Sequence, residues 1–353
     1  MMSQLTVVSY YTRKIIKISA TLLVLFFVSK ISINLFTVYW RMIHPIPPPP
    51  PDTAFGKLPR INFPKEAILK PKSFQLETAD GELPKDIPFT EKVYFVPQER
   101  GKFLSLEKAT ELARALGFKE DPQKIEEDIF LFENPGQRTS LTVDVLTGNF
   151  EYTYAYLEDQ TLINPPSLPK EADTVSIARN FLGKASRLSD ELKDGEYRLS
   201  YWKISSDQLI NALAASEADF VRADVFRKKV DDKYPVVSPR ADKSLVSLLI
   251  SGFRIQNEQV VEAKYLHFES DPEKYGRYPI KTVDQAWEEL KAGNYYLASY
   301  GGGQKDVSVK IRRVYFAYFD PYFADQFLQP VVVFQGDDDF YGYVSAVSSE
   351  WLE

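Results

Sequence analysis

The chain has 353 residues, 43 Lys and Arg against 49 Asp and Glu, two His and no Cys, which excludes disulfides, thiol catalysis and thiolate metal sites. Residues 1–51 hold five cations and no acid, so the remainder carries 38 basic and 49 acidic residues, a net charge of −11. A nucleic-acid partner, whose phosphates require a basic face, is excluded on that balance, and 24 Phe with 21 Tyr favour strands.

Residues 18–40, ISATLLVLFFVSKISINLFTVYW, are long enough as a helix to cross a hydrocarbon core of about 30 Å at about 1.5 Å per residue. Lys30 interrupts the apolar run, but its stem can snorkel and the surrounding Leu, Ile and Phe outweigh it. A cleaved signal peptide would need a small-residue cleavage site, and none follows the apolar block. An amphipathic surface helix would need a polar face that this stretch lacks. Arg13, Lys14 and Lys17 precede the span, while Arg41 is the main cation just after it, so the positive-inside rule places the N-terminus in the cytoplasm. The expected organisation is a cytoplasmic tail at 1–17, a transmembrane helix at 18–40 in the cell membrane, a proline-rich linker and arm at 41–71, and two extracytoplasmic α+β subdomains at 72–165 and 166–353.

The linker HPIPPPPPD (44–52) reads as a polyproline II rod, because serial prolines fix φ and remove backbone donors. The arm to residue 72 is punctuated by Pro59, Pro64 and Pro71. Strands follow at 73–77 and 93–96, then a helix at 104–116 with Ser105 as its cap and Gly117 as its stop. Strands at 128–133, 139–144 and 149–157 complete a first β-α-β-β unit. A second helix occupies 170–188, strands follow at 196–204, 218–228, 244–250 and 260–268, with an edge segment at 234–238 and a short helix at 207–216. A strand at 278–280, a helix at 283–291 capped by Thr282 and stopped by Gly293, and strands at 307–319, 330–335 and 341–347 repeat the order of the first unit. The expected fold class is α+β, an antiparallel-sheet module with repeated β-α-β-β units.

YPIKTVDQAWEELKAGNY (278–295), VKIRRVYFAYF (309–319), QPVVVFQG (329–336) and YGYVSAV (341–347) resemble the C-terminal repeat of YycH/YycI-type accessory proteins. The resemblance implies PepSY-like units carried outside the membrane by one helix, Trp287 and Leu290 as core residues, and a regulatory role toward a sensor histidine kinase.

Catalytic chemistry has few carriers. His44 and His267 are far apart and neither has a neighbour at ligand spacing, so His267 reads as an interior residue and no metal or cofactor is expected. GDDDF (336–340) lacks the register of a calcium loop and reads as a hairpin tip. Asp320 with Asp325 supplies a carboxylate pair for the alternative function, a wall-active glycoside hydrolase. A structural part of an envelope assembly is a third reading. YGGGQK (300–305) lacks phosphate-loop spacing. Tyr295, Tyr296 and Tyr300 beside Gly301, Gly302 and Gly303 form the candidate contact loop for a protein partner, rigid aromatics on an adaptable backbone. The expectation is a non-enzymatic, membrane-anchored binding protein of the cell envelope.

Overall fold

The computed structural model describes residues 4–43, 50–65, 70–85, 87–97, 105–165, 167–255, 258–301 and 308–353. It comprises two units, Met1–Pro49 and Pro50–Glu353.

The first unit is one helix, α1 (Gln4–Ile43), longer than the expected span because the cationic tail continues the same helix. Its Arg13–Trp40 stretch, which includes a window of mean hydropathy 1.9, is long and apolar enough to cross a membrane. Three of its hydroxyls do not oppose that. Thr21, Ser29 and Thr37 donate to the carbonyls of Lys17, Phe26 and Asn34 at 2.8–2.9 Å, so their hydroxyls are satisfied within the helix. Residues 44–49 of the expected polyproline rod lie outside the described residues.

The second unit is α+β and dominated by antiparallel sheet. In chain order it contains β1 (Ser73–Leu76), β2 (Thr90–Phe95), α2 (Ser105–Ala115), β3 (Gln123–Lys124), β4 (Ile129–Asn134), β5 (Thr139–Asp144), β6 (Phe150–Tyr154), α3 (Glu171–Lys184), α4 (Asp190–Lys193), β7 (Tyr197–Ser205) and β8 (Gln208–Asn211). There follow β9 (Phe220–Val225), β10 (Val236–Val237), β11 (Val246–Ile255), β12 (Glu258–Tyr265), β13 (Tyr275–Pro279), α5 (Val283–Lys291), β14 (Tyr296–Ser299), β15 (Ser308–Phe319), β16 (Phe327–Gly336) and β17 (Tyr341–Ser345).

Two sheets divide these strands. Nine form a wholly antiparallel sheet in the order β3-β4-β5-β6-β12-β11-β9-β7-β8. It takes strands from both sides of residue 165, the boundary expected between subdomains, because β6 pairs with β12. The other sheet runs β1-β15-β16-β17-β14, with β10 also on β15, β2 on β16 and β13 on β2. The strand preceding α2 thus belongs to the sheet that α2 does not cover.

Helices α2 and α3 pack Ala109, Leu112, Ala178 and Phe181 on the first sheet beside Leu141, Tyr152 and Leu248. Helix α5 packs Ala286 and Leu290 on the second beside Ile311, Phe334 and Val344, and Trp287 is partly buried against Phe74 and Phe334. The opposite face of that sheet is covered by Ile61 and Phe63 of the arm. Strand β16 holds the continuous apolar run PVVVF at its centre because side chains on both its faces are buried.

Three local expectations change. Residues 207–216 do not form a helix: Ser206 and Asp207, with φ of 52° and 59°, make the two-residue turn of the β7–β8 hairpin. His267 lies past the end of β12, not inside a strand. Tyr296–Ser299, expected in a connection, is the edge strand β14. Its residues alternate between two buried faces, so no polar spacing marks it as a strand.

Candidate functional site

A cavity of about 750 Å³ opens beside edge strand β14. The arm builds one wall. Leu58 is held by a backbone bond to Trp351 at 2.8 Å, and Pro59 accepts from the Gln329 amide at 2.8 Å, which sets Ile61 and Phe63 against the sheet. Phe63 stacks on Tyr296 with ring centroids 5.0 Å apart and planes 3° from parallel. The Lys70 ammonium donates to the carbonyls of Gly293 and Tyr295 at 2.8 and 2.6 Å and sits over the Tyr295 ring, so the turn after α5 is tied to the arm. Burial lowers the Lys70 pKa.

The opposite wall comes from the start of α5 and its approach. Lys281, 7% exposed, pairs with Glu289 at 2.8 Å. Thr282 and Gln285 close a capping box, which fixes where α5 begins. Tyr343 and Ser345 of β17 also line the cavity, and neither hydroxyl has a hydrogen-bond partner among the described residues. Arg60, Lys65 and Lys70 line it too. Arg60 donates to the main-chain oxygen of Glu353 at 2.8 Å, and among the described residues no carboxylate side chain pairs with any of the three. The cavity is therefore cationic within an acidic domain.

The expected contact loop is divided by this geometry. Tyr295 and Tyr296 line the cavity but are core side chains, 7% and 6% exposed, packed on opposite faces of the sheet. Tyr296 donates to the Pro239 carbonyl at 3.0 Å, and Tyr300 packs edge-on to Phe340. These rings are held by packing, and those of Tyr295 and Tyr296 expose little surface. Gly301 donates its N–H to Asp338 of the β16–β17 hairpin at 2.7 Å. Gly302 and Gly303 lie outside the described residues.

His267 belongs to a second, buried cluster. Its Nε2 lies 3.3 Å from Ser189 Oγ and 3.4 Å from a Glu191 carboxylate oxygen, and its Nδ1 has no partner among the described residues. A relay of the Ser-His-acid kind needs the acid on the other ring nitrogen, so serine and acid here compete for one position. Arg227 joins the cluster to Asp320 at 2.9 Å and to Glu191 at 2.6 Å, and Ser270 donates to Glu191 at 2.7 Å. Burial, then the Arg227 charge, holds His267 well below its ordinary pKa of 6.5. Asp320 is inside this network while Asp325, raised by burial, accepts instead from the Asn62 backbone, so the two expected carboxylates serve different contacts. At the GDDDF tip Asp338 and Asp339 take positive φ in a tight turn and Asp337 pairs with Arg312. Among the described residues no group of three or more His, Asp and Glu is arranged to hold a metal.

The residues that make the cavity cationic carried a weak signal in the sequence: residues 57–72 hold five cations and one acid. Their convergence with Lys281, far along the chain, carried none.

Together these features define an α+β, antiparallel-sheet protein with one long apolar N-terminal helix. No family model matches the chain, and no curated protein does. Among solved structures, an uncharacterized protein from Eubacterium rectale aligns at 10% identity over 74% of this chain and 79% of its own, with a TM-score of 0.35. The YpeB C-terminal domain of Bacillus megaterium aligns at 10% identity over 71% of this chain and 95% of its own, with a TM-score of 0.28.

Proposed function

We propose that the chain is a non-enzymatic, single-pass membrane protein whose Pro50–Glu353 unit stands outside the cytoplasm and binds another component of the cell envelope, regulating a sensor histidine kinase. The observation that carries this reading is α1: an apolar stretch of membrane-spanning length with Arg13, Lys14 and Lys17 on its N-terminal side and Arg41 alone just after it. The non-catalytic part is supported by the fate of the reactive groups, since His267 and Asp320 are both engaged in one buried network. Helix α2 precedes the meander β4–β6 and helix α5 precedes the meander β15–β17, which in this reading are diverged copies of the helix and meander of one PepSY-like unit.

Photocrosslinking from positions around the cavity in native membranes, followed by mass spectrometry, tests it. The expected result is a reproducible adduct with one envelope component, from a chain that resists alkaline extraction. Release of the chain by alkali, or adducts no more frequent than those from a distant surface such as β8, would overturn it.

A further inference from the structure

We infer that the cavity beside β14 is a binding site for a small ligand bearing a phosphoryl or carboxylate group. The inference rests on the proposed binding role and names the chemistry of what the cavity holds. Three observations converge. The first is size: about 750 Å³ falls in the range of pockets that enclose small organic ligands, roughly 300–1,000 Å³.

The second is charge. Lys281 and Glu289 neutralise each other across 2.8 Å, and Arg60 meets the main-chain oxygen of Glu353, which leaves Lys65 and Lys70 on the cavity wall without a carboxylate among the described residues. The domain around them is acidic by 11 charges, so solubility does not require this concentration of positive charge. Walls of low dielectric focus such a field on an entering anion. Lys70 is held by two carbonyls, at 2.8 and 2.6 Å, so its ammonium is positioned before a ligand arrives.

The third is unsatisfied polarity. Tyr343 is completely buried, and its hydroxyl and that of Ser345 lack partners among the described residues while both side chains line the cavity. Both oxygens are sealed from solvent, so they form a polar floor beneath the cavity that a ligand contacts only when the covering side chains shift. The half-buried ring of Phe63, backed by Tyr296, adds an apolar surface against which a ring or alkyl body can lie.

The test is calorimetry on the full chain in neutral detergent, with inorganic pyrophosphate as the phosphoryl probe, tricarballylate as the carboxylate probe and glycerol as the uncharged control. Saturable binding of one anion, weakened by added salt, is expected, and which anion binds distinguishes the two chemistries. Lys65 is exposed, so Lys65→Gln leaves the fold intact; it should weaken binding several-fold, and Lys65→Gln with Lys70→Gln about tenfold or more. Circular dichroism checks that each variant stays folded. The inference fails if neither anion binds at up to about 10 mM, or if both variants bind as the parent does. Failure here with envelope adducts intact removes the anion and spares the binding role, whereas anion binding without adducts does the reverse.

Discussion

At Arg227 the guanidinium meets Asp320 at 2.9 Å and Glu191 at 2.6 Å, with only 5% of its side chain exposed. Arg227 follows β9 of one sheet and Asp320 follows β15 of the other, so the ion network ties the two sheets together. Burying the Arg227 and Asp320 charges is tolerable only because they pair, and removing the cation strands a buried carboxylate and a half-buried one. Arg227→Met is therefore expected to cost about 3–5 kcal/mol, read as a fall in the urea midpoint, while adding Asp320→Leu should recover part of the loss. His267 in the same cluster gives a pH signature. Its folded pKa lies below 6.5, so the unfolded chain takes up the proton first, and its contribution is complete above about pH 6.5 and lost as pH falls below that. Asp320 and Glu269, raised chiefly by burial, act in the opposite sense. The histidine part is read as a difference: stability between about pH 7 and pH 5 should fall more steeply in the parent chain than in His267→Gln.

Helix α5 shows what local sequence can specify at the level of one element. Thr282 accepts from the Gln285 N–H at 3.2 Å and the Gln285 side chain accepts from the Thr282 N–H at 2.9 Å, while Gly293 takes φ of 82° at the stop. The bounds expected from residues 283–291 are those observed, because cap, period and stop lie within one stretch of chain. Thr282→Ala should cost about 1 kcal/mol in a denaturant titration, and it should loosen the cavity wall that Lys281 occupies. Strand β14 is the contrasting case. Its four residues owe their conformation to β17, through the pairing of Tyr296 with Tyr343 and of Leu297 with Gly342, and an apolar stretch buried on both faces carries no period.

For the molecule as a whole, the division into Met1–Pro49 and Pro50–Glu353 separates a helix long and apolar enough to cross a membrane from a domain with cores of its own. A chain begun at Pro50 is accordingly expected in the soluble fraction, with a cooperative unfolding transition, while the full chain stays with the membrane after alkaline washing. Aggregation of the shortened chain without a folded circular dichroism spectrum would show that the division is misplaced. The arm belongs to the domain in this respect, because Leu58 is fully buried and Phe63 stacks on Tyr296.

Features encoded within a few neighbouring residues could be read directly from the chain: the apolar length of α1, the cap and stop of α5, and the alternation in β5, whose expected bounds 139–144 match. Each depends on contacts at short separation or on transfer of side chains from water, and both are properties of local sequence. Strand partners, the sharing of one sheet across residue 165, the joining of Arg227 to Asp320 and the gathering of Arg60, Lys70 and Lys281 around a cavity depend on contacts between distant segments. Those are set by which surfaces can be buried together, and no single stretch of chain contains that information.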